Sequence, residues 1–181
     1  MKRPLAYLGD AVLRQKARPV EEITPEIRLL VAEMIETMNA VPDTVAVGIA
    51  APQVHASLRV FIVRMVSDAP DGQLMLHPPE VFINPTLSEP ARETEEMSEG
   101  CLSIPGLSAP VQRPVSIRIR ATDLEGRPFE RLLTGFEARV AMHEHDHLNG
   151  ILYIDRVSAA EKKRLKEPLR LIRQRTQQRK Q

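Results

Sequence analysis

The hydrophobic positions change period several times along the chain, and each change marks a different element. Over residues 25–39, Ile27, Leu30, Val31, Met34 and Met38 recur at helical spacing. Thr24-Pro25 ahead of them supplies an N-cap and a first-turn proline, so the pattern predicts an amphipathic helix with this stripe in the core. After a turn at VPDT, the segment VAVGIAAPQV is small and apolar with neither a helical nor a strand period. LRVFIVRMV (58–66) predicts a buried strand closed by a turn at DAPDG. VFINPTLSE (81–89) predicts another strand, placed at a sheet edge because Pro85 has no N–H to give to a ladder. In SIRIRATD, Ile117, Ile119 and Ala121 alternate with Arg118 and Arg120, the pattern of a half-buried antiparallel strand, and EGRP turns it into FERLLT.

Helical spacing returns at Phe136, Val140, His143 and His147. Thr134 and Glu137 are placed for a capping box, and Gly150 for the stop. A last helix, over about 158–175, carries Leu165, Leu169 and Ile172 on one face, and Pro168 should kink or break it. The expected organisation is a main unit over 1–157, with 158–181 as a basic helical extension of the same domain.

Composition narrows the class. The chain has 181 residues, 43% hydrophobic and 27% charged, which suits one globular domain with a sizeable core. No apolar run approaches the roughly 20 residues of a membrane span, and MKRPLAYLGDAVLRQ lacks the apolar block of a signal peptide, so the expectation is a cytoplasmic protein without a membrane partner. A net charge of +1 gives no reason to expect a DNA partner, although the C-terminal segment is locally basic. The single cysteine, Cys101, excludes an internal disulfide and fits a reducing compartment.

The chemistry concentrates in HEHDHLNG (143–150). His143 and His147, four apart, project from one helix face and can grip one ion, while Glu144 on the flank is suited to moving a proton. Two core histidines beside a surface glutamate would give the same letters. His145 should point away, to the surface. Catalytic ions usually take three protein ligands. His55 and His77 have no helper residues near them, and the remaining thiol, Cys101, lies in EGCLSIPG.

GIAAPQ (48–53), EGCLS (99–103) and HEHDHL (143–148) resemble, in order and spacing, the three signature motifs of the peptide deformylases. The LGDAVLRQKARPV start is also similar to that family, so the resemblance spans nearly the whole chain. It implies an α+β fold of antiparallel sheets packed around a central helix carrying the HExxH motif, plus a C-terminal helix. It implies one divalent metal held by Cys101, His143 and His147: Fe2+ first, with Zn2+, Ni2+ or Co2+ tolerated. It further implies removal of the formyl group from the N-terminal formylmethionine of new proteins. A metal-activated water would attack the formyl carbon, Glu144 would serve as base and then acid, and the Gln53 amide and Leu102 N–H would stabilise the oxyanion.

Val47, Met97, Leu102, Phe136, Arg139 and Val140 are the implied walls of a methionine pocket, with Arg139 giving its stem. Backbone near Val47, Gly48 and Gly100 would pair with the peptide as an added strand. Expected partners are N-formylmethionyl peptides and the ribosome, the latter through Lys162, Lys163, Arg164, Arg170 and Arg173. The chain departs from the family pattern at Ala46, where a motif glycine is usual. It also has Ser108, with Arg113 further on, near the place of a peptide-holding arginine. A zinc metalloprotease on the same helix motif is the competing enzyme reading, disfavoured by EGCLS. A catalytically dead ribosome-bound relative is the non-enzymatic one, disfavoured by the intact Gln53, Cys101, His143, Glu144 and His147.

Overall fold

The computed structural model describes residues 1–42, 45–68 and 74–178, so the turns expected at VPDT and DAPDG fall largely outside the described residues. Nine strands and four helices follow in chain order. They are α1 (Pro25–Asn39), β1 (Gly48–Ala50), β2 (Val60–Val63), β3 (Val66–Asp68), β4 (Leu74–Leu76), β5 (Glu80–Ser88), β6 (Thr94–Cys101), β7 (Ile104–Pro114), β8 (Ser116–Thr122), β9 (Pro128–Thr134), α2 (Gly135–Leu148), α3 (Tyr153–Arg156) and α4 (Ala159–Gln178). The main sheet runs β1-β2-β5-β8-β9, with every neighbouring pair antiparallel; β3-β4 and β6-β7 form separate hairpins.

The period-2 alternation of the strands sends their apolar side chains to two different cores. Phe61, Val63, Phe82, Ile117, Ile119 and Leu133 point to one face, where Ala138, Ala141, Met142 and Leu148 of α2 cover them. Val60, Ile62, Ile83 and Ile49 point to the other, under Leu30, Val31, Met34 and Met38 of α1. Each such side chain, once buried, contributes about 2 kcal/mol of hydrophobic free energy. A third cluster joins Ile104, Ala109 and Val111 of β7 to Leu152, Tyr153 and Ile154 and to Leu165 and Leu169 of α4. The C-terminal helix is therefore packed onto the hairpin rather than hanging from it.

Three local expectations change. β5 lies in the middle of the sheet, not at its edge. Its register shifts between Ile83 and Thr86, a bulge that removes the need for a ladder N–H at Pro85. Asn84 adopts φ 50° there, and its side chain pairs with both Val20 N–H and Val20 C=O. The Thr134 side chain makes no cap, because Glu137 is held by Arg131 at 2.9 Å, and α2 instead opens on Gly135 at φ 54°. α4 is not broken at Pro168: it runs on as one helix, with buried Leu165 and Leu169 holding it down on either side.

Asn84→Ala should lower unfolding free energy by about 2 kcal/mol through two lost hydrogen bonds and an unfavourable positive φ, measured by urea denaturation. An unchanged midpoint would show that the bulge does not depend on this side chain.

Candidate metal centre

Three segments distant in sequence converge against one face of α2. Its 3.6-residue repeat places His143 and His147 side by side, ring centroids 5.1 Å apart. The β6–β7 hairpin closes through the two-residue turn Leu102–Ser103, with Cys101 opposite Ile104, and this lays the thiol against the helix. Cys101 Sγ lies 3.3 Å from His147 Nε2, and the donor atoms of Cys101, His143 and His147 all fall within 4.8 Å of one another. Three soft or borderline donors on one side of a cavity suit a first-row divalent ion with a coordination position left for substrate.

The third segment is β1 with the 3-10 turn Ala51–Val54 that follows it. The Ala50 N–H donates to Gln53 Oε1 at 2.8 Å, which fixes the amide the other way round toward the site. Gln53 Nε2 then lies 3.5 Å from Cys101 Sγ and 3.3 Å from Ser103 Oγ. Gly48 lies against Glu144: a Cβ built there would sit 2.4 Å from Glu144 Oε1. The motif glycine is thus required by the carboxylate behind it. Ala46 is only 8% exposed and packs into the α1 core as well as bordering the cavity, so its extra methyl is largely absorbed by the interior.

Electrostatics separates the acidic groups by role. Burial pushes Glu144 up to about 7, against the pull of His143, and its Oε2 is buried without a hydrogen-bond partner. A carboxyl poised near neutrality with a free oxygen is fit for moving a proton. Burial would raise Glu99 as well, but Arg113 and His143 outweigh it and hold that carboxyl down at about 2. Glu99 receives His143 Nδ1 at 3.0 Å, which fixes the ring and turns Nε2 toward the thiol. Arg113 bridges Glu99 and Asp146, and Asp146 also takes Arg156. Glu99, which holds His143, and Asp146 were not singled out from sequence although they stand inside the quoted motifs, and Arg113 was noted there only as an arginine near the peptide. Arg113 is 3% exposed and fully engaged, so it is not a peptide anchor. Ser108 is exposed at the cavity rim.

A cavity of about 1010 Å³ opens over the donors, roomy enough for several peptide residues. Val47, Gly48, Gly100, Leu102, Phe136, Arg139 and Val140 border it. Met97 is half-buried opposite Val111 and lies outside the lining, where its strand neighbours Ser98 and Glu99 stand instead. The N-terminal segment forms an unforeseen wall: Ala6 N–H donates to Gln53 C=O and Leu8 N–H to Ser103 C=O, and Lys2 through Leu5 continue along the rim.

His145 is not the surface residue expected. It is half-buried, with Nε2 3.2 Å from Arg59 Nη2 and Nδ1 3.3 Å from Asn149. Burial first, and the Arg59 charge second, lower it to about 4.

A cysteine-and-histidine donor set with a buried carboxyl group over a peptide-sized cleft defines a candidate metal-dependent hydrolase. The sequence matches the polypeptide deformylase family over residues 2–163. Peptide deformylase from a Synechocystis species is 40% identical across 84% of this chain and 78% of its own. That of an Acinetobacter baumannii strain is also 40% identical, across 95% and 93%. The Met-Ala-Ser-bound class I type b peptide deformylase of A. baumannii superposes with TM-score 0.77 at 34% identity, covering 87% of this chain and 99% of that one. The Synechococcus elongatus enzyme in complex with actinonin does so with TM-score 0.77 at 36% identity, covering 96% and 85%. The chain belongs to the polypeptide deformylase family, metal-dependent enzymes that remove formyl groups from nascent peptides. No described helix is long and apolar enough to cross a membrane.

Because His145 is neutral when folded and takes a proton when unfolded below about 6.5, it should erode stability as pH falls from about 6.5 to about 4. His145→Gln should therefore flatten the loss of unfolding free energy across that window by about 1–3 kcal/mol. Parallel wild-type and variant denaturation curves at each pH would contradict this.

Proposed function

We propose that this chain hydrolyses the formamide of N-terminal formylmethionine on new polypeptides, releasing formate and a free amine. The observation that carries the reading is the unpartnered, buried Oε2 of Glu144 beside the Cys101–His143–His147 donor set. The Met-Ala-Ser-bound relative supports a peptide that begins with methionine.

Cys101, His143 and His147 would hold the ion, for which Fe2+ is the first choice and Ni2+, Co2+ and Zn2+ are substitutes. When bound, the ion supplies Lewis acidity, making a water nucleophilic near neutral pH. The rest falls to the chain's own groups. Glu144 accepts the proton of the attacking water and returns it to the departing amine nitrogen. Gln53 Nε2, oriented by Ala50, and the Leu102 N–H at the hairpin turn meet the charge growing on the formyl oxygen. β1 pairs only with β2 among the described strands, leaving an edge at Gly48 for the peptide backbone, with Gly100 facing it across the cleft. Val47, Phe136, Val140 and the Arg139 stem take the methionine side chain. A lone thiolate beside ferrous iron is open to oxidation, which suits a reducing cytoplasm.

Formate release from formyl-Met-Ala-Ser by anaerobically prepared, Fe2+- or Ni2+-loaded protein tests the reading. Glu144→Gln should lower kcat by about 10³-fold with the metal retained. Gly48→Ala should cost about 100-fold by displacing that carboxylate. Stoichiometric metal without formate release would sink the proposal, and release of free methionine from Met-Ala-Ser would favour a peptidase.

Lys162, Lys163, Arg164, Arg170 and Arg173 are all exposed on α4, although Arg164 is drawn to Glu161 and the Ser108 carbonyl, and Arg170 to Glu167. We infer that this face meets ribosomal RNA. Deleting the helix would strip Leu165 and Leu169 from the core, so charge reversal is the better probe. Replacing Lys162, Lys163 and Arg173 with Glu should weaken ribosome co-sedimentation at physiological salt; unchanged sedimentation ends the idea.

A further inference from the structure

The Glu99 carboxylate meets four nitrogen donors. Arg113 Nε and Arg139 Nη1 lie on Oε1 at 2.6 and 2.9 Å, and Arg113 Nη2 and His143 Nδ1 on Oε2 at 2.8 and 3.0 Å. A carboxylate offers about four acceptor sites, so this one is filled. Two of the donors come from α2 itself. Residues 139 and 143 are one turn apart, and each takes a different oxygen of the same group.

Arg139 reaches further than that. Its side chain is 5% exposed, and its guanidinium also donates to the carbonyls of Val111 at 2.9 Å and Glu95 at 2.6 Å. Those carbonyls belong to β7 and β6, the two strands of the hairpin that carries Cys101. One side chain thus ties the helix holding both histidines to the hairpin holding the thiol, a single turn before His143. A methionine pocket needs only an apolar wall here, and leucine or methionine would supply it without burying a charge. The guanidinium therefore has a use that the pocket does not explain.

We propose that Arg139 is a positioning residue for the metal ligand His143 and acts through Glu99. By fixing Oε1, it leaves Oε2 aimed at His143 Nδ1 and keeps Nε2 in register with Cys101 Sγ and His147. Arg113 alone also spans both oxygens, but it is shared with Asp146. Arg139 supplies the hold that comes from the ligand's own helix. The inference rests on the metal-centre part of the proposed function and is independent of the substrate.

The test is a double-mutant cycle on metal release. Nickel-loaded wild type, R139M, E99Q and R139M/E99Q are mixed with a chromophoric chelator, and the cobalt-substituted forms are compared by visible absorption. R139M keeps the unbranched stem and removes every donor. It should release nickel about tenfold faster than wild type and shift the cobalt bands. In the E99Q background it should add less than about twofold, because the route through Glu99 is already cut. A simple packing strut would lower thermal stability in R139M yet leave nickel release and the cobalt bands at wild-type values, and that result overturns the proposal. So do R139M and E99Q effects that multiply. Should R139M not fold, R139K is carried through the same cycle, where multiplying effects again overturn it. A wild type that binds no stoichiometric nickel would refute the metal centre itself, and this inference with it. Wild-type binding that survives while the cycle proves additive refutes the inference alone.

Discussion

Everything at this site hangs on a run of buried charge, Arg139, Glu99, Arg113 and Asp146 in alternating contact, capped at the surface by the exposed Arg156. Glu99, Arg113, Arg139 and Asp146 are each no more than 6% exposed. Removing such charges from water is costly, and their mutual attraction compensates only when nearly every donor and acceptor is used. Here that condition is met, and the arrangement resists partial loss, since deleting one member strands its neighbour. The run also crosses element boundaries, from α2 through β6 and β7 and back to α2 and α3. The hydrophobic clusters do not join the two: the hairpin packs on α3 and α4 in one cluster and α2 on the main sheet in another, so neither fixes the register of the hairpin against α2. The charges are directional and do fix it.

Around that frame, the two faces of one main sheet divide the labour. The face under α2 presents the histidines and Glu144 to the cleft, while the face under α1 anchors β1 and the Gln53 turn. Clearance is smallest where Gly48 passes Glu144. This proximity leaves no room for a side chain at position 48, and it places the Glu144 carboxylate beside the free edge of β1. Burial does the remaining tuning: the same loss of water that lifts Glu144 toward neutrality lowers His147 and His145.

Elements whose identity depends on one face were legible in the sequence. α1 spans the residues its Leu30–Met38 stripe marked, and the Ile117–Ala121 alternation gave β8 and its turn into β9. Readings failed where a distant segment overrode a local rule. Pro85 looked like an edge marker because nothing in VFINPTLSE reveals that Val20 completes the bulge around Asn84. Helical geometry turned His145 away from the cleft, yet said nothing of Arg59 arriving from the start of β2 to cover it. Thr134 and Glu137 had the letters of a cap, but Arg131 had the stronger claim on the carboxylate. At the site, spacing put His143 and His147 on one helix face with Glu144 beside them, a pattern that two core histidines would also give, and the part of Cys101 came with the family likeness. Arg139 was read as a greasy stem, since its acceptors Glu99, Val111 and Glu95 lie far away in the chain.

The backbone bonds from Ala6 to Gln53 and from Leu8 to Ser103 make the start of the chain a clasp across the two motif turns. Neither turn bonds the other through its backbone; each is fastened to the same short segment. During synthesis that segment is made well before residue 103 and must wait for it before it can close, and the histidines on α2 come later still. The cleft is thus incomplete until α2 has been made. Until α2 docks, Cys101 stands without the histidines that face it in the folded chain.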